Sequence, residues 1–184
     1  MDLSRNHTIA ESDLISGCLA GNRLMQEALY HRFSAKMYAV CLRYCTNPSD
    51  ASDLLQEGFV KVFRNLEKYR GEGSFEGWIR RIFVNTSIEQ FRKKQRIQPV
   101  TDTSGIETED HTLSMLDRFA ERDIIQLIQQ LSPGYRQVFN MYVIEGYNHK
   151  EIADLLQISE GTSKSQLARA KSILRKMIEE KQLQ

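Results

Sequence analysis

Proline is scarce in this sequence, cysteine nearly so, long apolar runs are missing, and neither sign of charge dominates. Its 184 residues include 3 prolines and 10 glycines, while Leu, Ile, Gln, Glu, Lys and Arg are frequent. With few residues to punctuate strands and turns, the expected fold class is all-α. Cys18, Cys41 and Cys45 are odd in number and lack metal-ligand spacing, so they read as reduced thiols in a reducing compartment. Cys41 and Cys45 lie four apart on one helix face, half of a zinc site, but no second Cys/His pair completes it; packed core thiols are the expected reading. The first residues show no basic-then-apolar signal segment, and the apolar runs fall far short of a membrane span. A cytoplasmic protein without membrane insertion is expected. No HExxH, GxSxG or GxxxxGK[ST] occurs, and the glycines of "GEGSFEG" (Gly71, Gly73, Gly77) are mis-spaced for a nucleotide loop and follow a helix. The sequence therefore reads as a non-enzyme, with no catalytic residue, cofactor or metal.

A formal net charge of +1 argues against a uniformly basic coat for nucleic acid, yet the charge is distributed unevenly. Between Arg80 and Arg96 stand Arg80, Arg81, Arg92, Lys93, Lys94 and Arg96 against the single acid Glu89. Between Lys164 and Lys176 stand Lys164, Arg169, Lys171, Arg175 and Lys176 with no acid. The intervening "IQPVTDTSGIETEDHTLSMLD" carries Asp102, Glu107, Glu109, Asp110 and Asp117 and neither Lys nor Arg. Thr, Ser, Gly and Pro dominate that stretch and no apolar period is sustained, as in a flexible acidic linker. The organisation to explain is two basic faces on two bodies joined by an acidic tether.

Helical spacing fills in the bodies. A short helix begins at Ser12 or Asp13, and "RLMQEALYHRFSAKMYAVCLRYC" places Leu29, Phe33, Met37, Val40, Leu42 and Tyr44 along one long helix. Asn47 followed by Pro48 reads as an N-cap and first-turn proline, with Asp50 and Asp53 at the positive end of the next helix. That helix runs to about Tyr69, the glycines of "RGEG" break it, and Ser74 caps another carrying Phe75, Trp78, Ile79, Ile82 and Phe83 inward. Trp78 is expected to be mostly a core residue. In the second body a helix over 119–131 leads to Ser132 and Pro133, again a cap and first-turn proline, and its successor ends near Gly146. Asn148 and Glu151 form a capping box, a short apolar helix and a tight turn follow, and Ser159 caps the last helix. This is helix-turn-helix spacing. On the last helix Leu167, Ala170, Leu174 and Met177 face inward, and Lys164, Ser165, Ala168, Arg169, Ser172 and Arg175 face outward, a small and basic face suited to a DNA groove. A basic face opposite an apolar stripe is most often simply a solvated one; the capped turn before it favours DNA.

"NPSDASDLLQEGFVKVFRNLEKYRGEGSFEGWIRRIFVNTSIEQFRKKQR" together with "LSPGYRQVFNMYVIEGYNHKEIADLLQISEGTSKSQLARAKSILRK" resembles the extracytoplasmic-function group of alternative bacterial sigma factors, over roughly Met25–Arg96 and Phe119–Met177. The resemblance implies a sigma2-like domain over 1–96, a flexible linker over 97–118 and a sigma4-like helix-turn-helix domain over 119–184. It implies that the first domain grips core RNA polymerase and opens the minus-ten promoter element, that the second reads the minus-thirty-five element, and that an anti-sigma factor is a partner.

Carried over by motif, Asp53, Gln56 and Glu57 correspond to polymerase-contact positions, where carboxylates accept paired bonds from arginines. The loop over 69–74, with Tyr69, Arg70 and Ser74, corresponds to the segment that receives a flipped minus-ten base, Tyr69 and Asn85 supplying stacking and hydrogen bonds. Arg80, Arg81, Arg92 and Lys93 correspond to phosphate contacts. Glu160, Gly161, Lys164, Ser165, Ala168 and Arg169 correspond to the minus-thirty-five contacts, at a helix N-terminus open to a phosphate. The chain departs from the pattern at Gln157, where the turn commonly has Gly, at Ser163, where a branched apolar residue is usual, at Gln166, where Arg is frequent, and at Phe83, where Ala is common. A different reading of the same residues is a helix-turn-helix regulator or adaptor that acts without core polymerase. A purely structural helical adaptor would leave both basic faces unexplained.

Overall fold

The computed structural model describes residues 9–97 and 121–182. Over them the chain is helical, with no strand among the described residues. The first body contains α1 (Glu11–Leu19), α2 (Arg23–Tyr44), α3 (Pro48–Asn65) and, after a short 3-10 turn over Leu66–Lys68, α4 (Phe75–Ile97). The second contains α5 (Glu121–Gln130), α6 (Pro133–Phe139) continued by a π-helical turn over Asn140–Ile144, α7 (His149–Leu156) and α8 (Glu160–Gln182). The acidic linker lies outside the described residues, and α4 continues through Ile97, where the linker was expected to begin.

Helix boundaries follow local chemistry. Asn47 Oδ1 accepts the Asp50 N–H at 2.8 Å, and Pro48 opens α3 where its missing N–H costs nothing. Ser74 Oγ accepts the Gly77 N–H, and Ser159 Oγ accepts the Thr162 N–H. The capping box of α7 is complete: Asn148 Oδ1 accepts from Glu151 N at 2.9 Å, and Glu151 accepts from Asn148 N at 2.8 Å. One expected cap and one expected helix start differ. Ser132 stands at the N-cap of α6 without a side-chain cap bond, and α1 begins at Glu11, one residue before Ser12, after an uncapped Ala10.

The first core is largely aromatic. Phe33 meets Phe75 at 5.6 Å and Phe59 meets Phe83 at 5.3 Å, both in the edge-to-face geometry favoured by ring quadrupoles. The long helix buries Leu29, Phe33, Met37, Val40 and Tyr44 as expected, whereas Leu42 is half-buried. Cys18, Cys41 and Cys45 are buried free thiols, and burial pushes Cys41 up to about 12 and Cys45 to about 11. In the second body Leu127, Ile128, Leu131, Val138, Met141, Ile152, Leu156, Leu167 and Leu174 are buried. Arg136 is buried among them and donates to the carbonyls of Ile128, Gln129 and Leu131, satisfying the C-terminal end of α5.

The two bodies touch. Arg80 of α4 forms a bidentate ion pair with Glu145 at the end of the π-helical turn, both bonds at 2.8 Å. Asn140 Nδ2 donates to the Arg43 carbonyl at 2.7 Å, and Gln129 Nε2 donates to the Leu42 carbonyl at 3.0 Å.

Candidate nucleic-acid interface

The loop between α3 and α4 is held by its own side chains. Tyr69 Oη donates to the Gly73 carbonyl at 3.0 Å, closing the turn on itself. Gly71 and Gly73 take φ of +75° and +78°, a conformation that glycine adopts without steric cost. Behind the loop the Tyr69 ring lies 4.9 Å from Phe75 and 5.5 Å from Trp78, and Phe75 and Trp78 stack at 12°. Trp78 is half-buried and belongs to the wall that supports the loop. Arg70 and Ser74 are exposed, and the Ser74 hydroxyl is engaged as the α4 cap.

Along α4 the predicted DNA residues separate by helical position. Residues 81, 85 and 92 fall on one side of a 3.6-residue helix, so Arg81, Asn85 and Arg92 form a stripe, with Arg81 and Asn85 exposed and Arg92 half-exposed. Arg80 and Lys93 lie on opposite flanks of that stripe. Arg80 is turned to Glu145, which holds its guanidinium above the ordinary arginine range through paired hydrogen bonds. Lys93 is exposed, and Lys94 pairs with Asp50 at 3.3 Å.

The acidic start of α3 divides as well. Asp53 and Gln56 are exposed, as expected of a docking stripe. Glu57 was expected to share that exposure but is half-buried: it accepts from Gln90 Nε2 at 2.7 Å and pairs with Lys61 at 3.1 Å. The Gln90 hydrogen bond, followed by Lys61, holds its carboxyl below the usual carboxylate range. Lys61 in turn reaches Glu89 at 2.7 Å, so this network ties α3 to α4.

In the helix-turn-helix, α7 ends at Gln157 in the left-handed region, φ +59° and ψ +45°, with its N–H returned to the Ala153 carbonyl. Glu160, Gly161 and Lys164 are exposed at the start of α8, and Ser165, Ala168 and Arg169 are half-exposed. Arg169 is engaged with neighbours in this conformation. Three α8 positions depart from the simple division into inner and outer faces. Lys171 is buried. Gln166 lies over α6, its amide nitrogen 3.2 Å from where a Cβ on Gly134 would stand. Ser163, fully buried, meets His149 Nδ1 through its hydroxyl at 2.9 Å, with the Tyr142 ring stacked on the imidazole at 4.5 Å. His149 escaped the sequence reading because its partner comes from the next helix.

Residues 29–97 match the family model of sigma-70 region 2, and residues 121–174 match that of sigma-70 region 4. The chain is 26% identical over 181 residues to the RNA polymerase sigma-H factor of Pseudomonas aeruginosa, covering 92% of this chain and 94% of that one. It is likewise 26% identical to the extracytoplasmic-function RNA polymerase sigma-E factor of Haemophilus influenzae, covering 93% and 96%. The chain belongs to the extracytoplasmic-function group of the sigma-70 family. It is therefore an alternative sigma factor for transcription initiation, from a family of non-catalytic regulators. Among solved structures it is similar in fold to the sigma factor RpoE of Bartonella quintana, solved in complex with the anti-sigma factor NepR, with a TM-score of 0.50 at 17% identity, covering 83% of this chain and 96% of that one. The sigma-70 region 2 match ends with α4, and the region 4 match spans the helix-turn-helix. No helix among the described residues is long and apolar enough to cross a membrane.

Proposed function

We propose that this sigma factor docks on core RNA polymerase through the exposed side of α3, opens the minus-ten element with the loop over 69–74 and α4, and reads the minus-thirty-five element with α8. The observation that carries the reading is the pair of outward basic surfaces, Arg81–Asn85–Arg92 on α4 and the N-terminal turns of α8, on two separate helical bodies. Two spaced promoter elements call for two such bodies. A single basic patch would serve one.

Each part acts through its chemistry. Asp53 and Gln56 offer exposed acceptors to basic groups on polymerase, and Glu57 contributes charge while bracing α3 against α4. The stripe of α4 holds backbone phosphates, which position the strand without reading it. An extruded base then meets the rim of the Tyr69 loop, where Arg70 and Asn85 offer hydrogen bonds and Tyr69 an aromatic edge; these offset the few kcal/mol, roughly, that unstacking costs. On α8 the exposed N-terminus at Glu160 and Gly161 presents backbone N–H groups to a phosphate, Lys164 adds a mobile charge, and Arg169 supplies the planar fork that pairs with guanine. An anti-sigma factor, the kind of partner present in the Bartonella quintana complex, would hold this chain from polymerase.

Co-elution with core RNA polymerase tests the docking part. Wild type co-elutes, and Asp53→Ala with Gln56→Ala weakens the complex while the helical signal is retained. Failure of wild type to associate with core, together with tight duplex binding by the isolated protein, would favour a regulator that acts without polymerase.

A further inference from the structure

The inward stripe of α8 begins on a hydroxyl. Ser163, Leu167, Ala170, Leu174 and Ile178 recur every three or four residues and are all buried, and Ser163 is the one polar side chain among them. A buried hydroxyl needs a partner, and Ser163 finds it outside its own helix: its Oγ meets Nδ1 of His149, the first residue of α7, at 2.9 Å. Tyr142 of the π-helical turn covers one face of the same ring, the centroids 4.5 Å apart and the planes within 24°. One imidazole therefore joins three elements, the π-helical turn, α7 and α8. The joint stands beside Lys164 and within about two helical turns of Arg169, the side chains assigned above to promoter DNA.

We propose that His149 and Ser163 are a positioning pair for the minus-thirty-five reader: their hydrogen bond, with Tyr142 stacked on the ring, sets the roll of α8 and so decides which base edges Arg169 and its neighbours meet. This rests on the reading of α8 as the helix that meets the minus-thirty-five element. The rest of the stripe is apolar, and apolar contact is non-directional, so it tolerates small rolls of a helix. A hydrogen bond weakens steeply with distance and angle, and this one holds the start of α8 at a single position. Reading a base edge needs donors held to within roughly 0.5 Å, a precision that comes from the contacts behind the reading side chains. Both residues act through the side chains they aim, without meeting a base themselves. The arrangement separates stability from selectivity. Alanine at position 163 would fill most of the buried space and keep the helix packed, but it would leave the roll of α8 to packing alone.

The test uses the full chain with core RNA polymerase and a template library randomised over the minus-thirty-five element, read as a base profile of the transcripts. Ser163→Ala keeps its cooperative thermal unfolding, while the preference for the favoured base falls by about tenfold at one or more positions, a loss within the worth of one paired base contact. His149→Ala, at a half-buried position, relaxes the same positions and serves should Ser163→Ala fail to fold. His149→Asn sets an amide group near the place of Nδ1 and recovers the wild-type profile. A merely structural pair would lower the unfolding midpoint and the total transcript and leave the base profile as in wild type. Unchanged profiles in both Ser163→Ala and His149→Ala, with Arg169→Ala still relaxing its position, overturn the pair alone. So does a profile lost in His149→Ala that His149→Asn does not recover. If Arg169→Ala leaves the profile unchanged along with the other two, the reading of α8 is the part that fails, and the pair fails with it.

Discussion

Phe83 on α4 lies directly against the bare Cα of Gly58 on α3: a Cβ placed on Gly58 would stand 2.2 Å from Phe83 Cε1. The sequence placed Phe83 where relatives commonly carry Ala, and the structure supplies the reason that the larger ring is accommodated here. Gly58→Ala should destabilise the protein by about 1–3 kcal/mol through overpacking. In a Phe83→Ala background the same change should cost much less, because the ring it meets is gone. A double-mutant cycle by urea unfolding measures the coupling, and additive costs would refute the packing account.

Gln157 holds the turn of the helix-turn-helix at φ +59° without being glycine. A left-handed non-glycine residue is strained, and Gln157 is exposed, so its side chain contributes little packing in return. Gln157→Gly should raise stability by about 1 kcal/mol and leave the direction of α8 unchanged. Thermal unfolding with a higher midpoint is the expected result; a lower one would mean that the side chain stabilises the turn.

Glu57 and its neighbours give a contrast within one helix. Gln56→Ala and Asp53→Ala remove exposed groups and should change stability by less than about 0.5 kcal/mol. Glu57→Ala breaks the bonds to Gln90 and Lys61 and should cost measurably more than either. Its depressed carboxyl pKa adds a pH signature. The folded chain holds the carboxylate more strongly than the unfolded chain does, so this stability is present above the usual carboxylate range and is lost as pH falls through it. Unfolding curves of wild type and Glu57→Gln should converge toward acid pH.

His149 is predicted to make the second body weaken in mild acid. Burial first, then Lys164 with Lys171, pushes its imidazole below the ordinary 6.5, while Glu160 acts in the opposite sense. The unfolded chain therefore takes the proton first. Stability is full above about pH 6.5 and declines as pH falls below it. Comparing wild type with His149→Gln at about pH 7.5 and about pH 5.5 isolates this ring, because carboxylate contributions are common to both proteins. Equal pH dependence in the two would mean that the contact with Ser163 does not select the neutral ring.

What the sequence disclosed was local. Asn47–Pro48, Ser74, Asn148 with Glu151, and Ser159 marked helix starts because a cap and its N–H partner lie two or three residues apart, and the structure has each of those bonds. The inward faces of α2 and α8 were legible for the same reason, as helical spacing lies within one segment. Lys171, counted in the basic run of the last helix, is buried, and Ser132 was read as a cap whose bond is not made. Gln90 with Glu57, Ser163 with His149, and Arg80 with Glu145 pair residues from different helices, and no spacing rule reaches across 33, 14 or 65 positions. Those contacts depend on how helices pack, and they decide which polar residues of the candidate surface are open to a partner.

Transcription by core RNA polymerase from a promoter library tests the central claim most directly, because it requires docking, opening and reading from one protein. The account predicts transcripts only when this chain and core are both present, from templates sharing two spaced elements. Arg169→Ala should relax preference at one minus-thirty-five position by roughly 1–3 kcal/mol of discrimination, whereas Lys164→Ala should lower binding to all templates alike and reduce its salt dependence. Absence of promoter-specific transcripts with core present, or an identical sequence profile for wild type and a variant lacking residues 121–184, would contradict it.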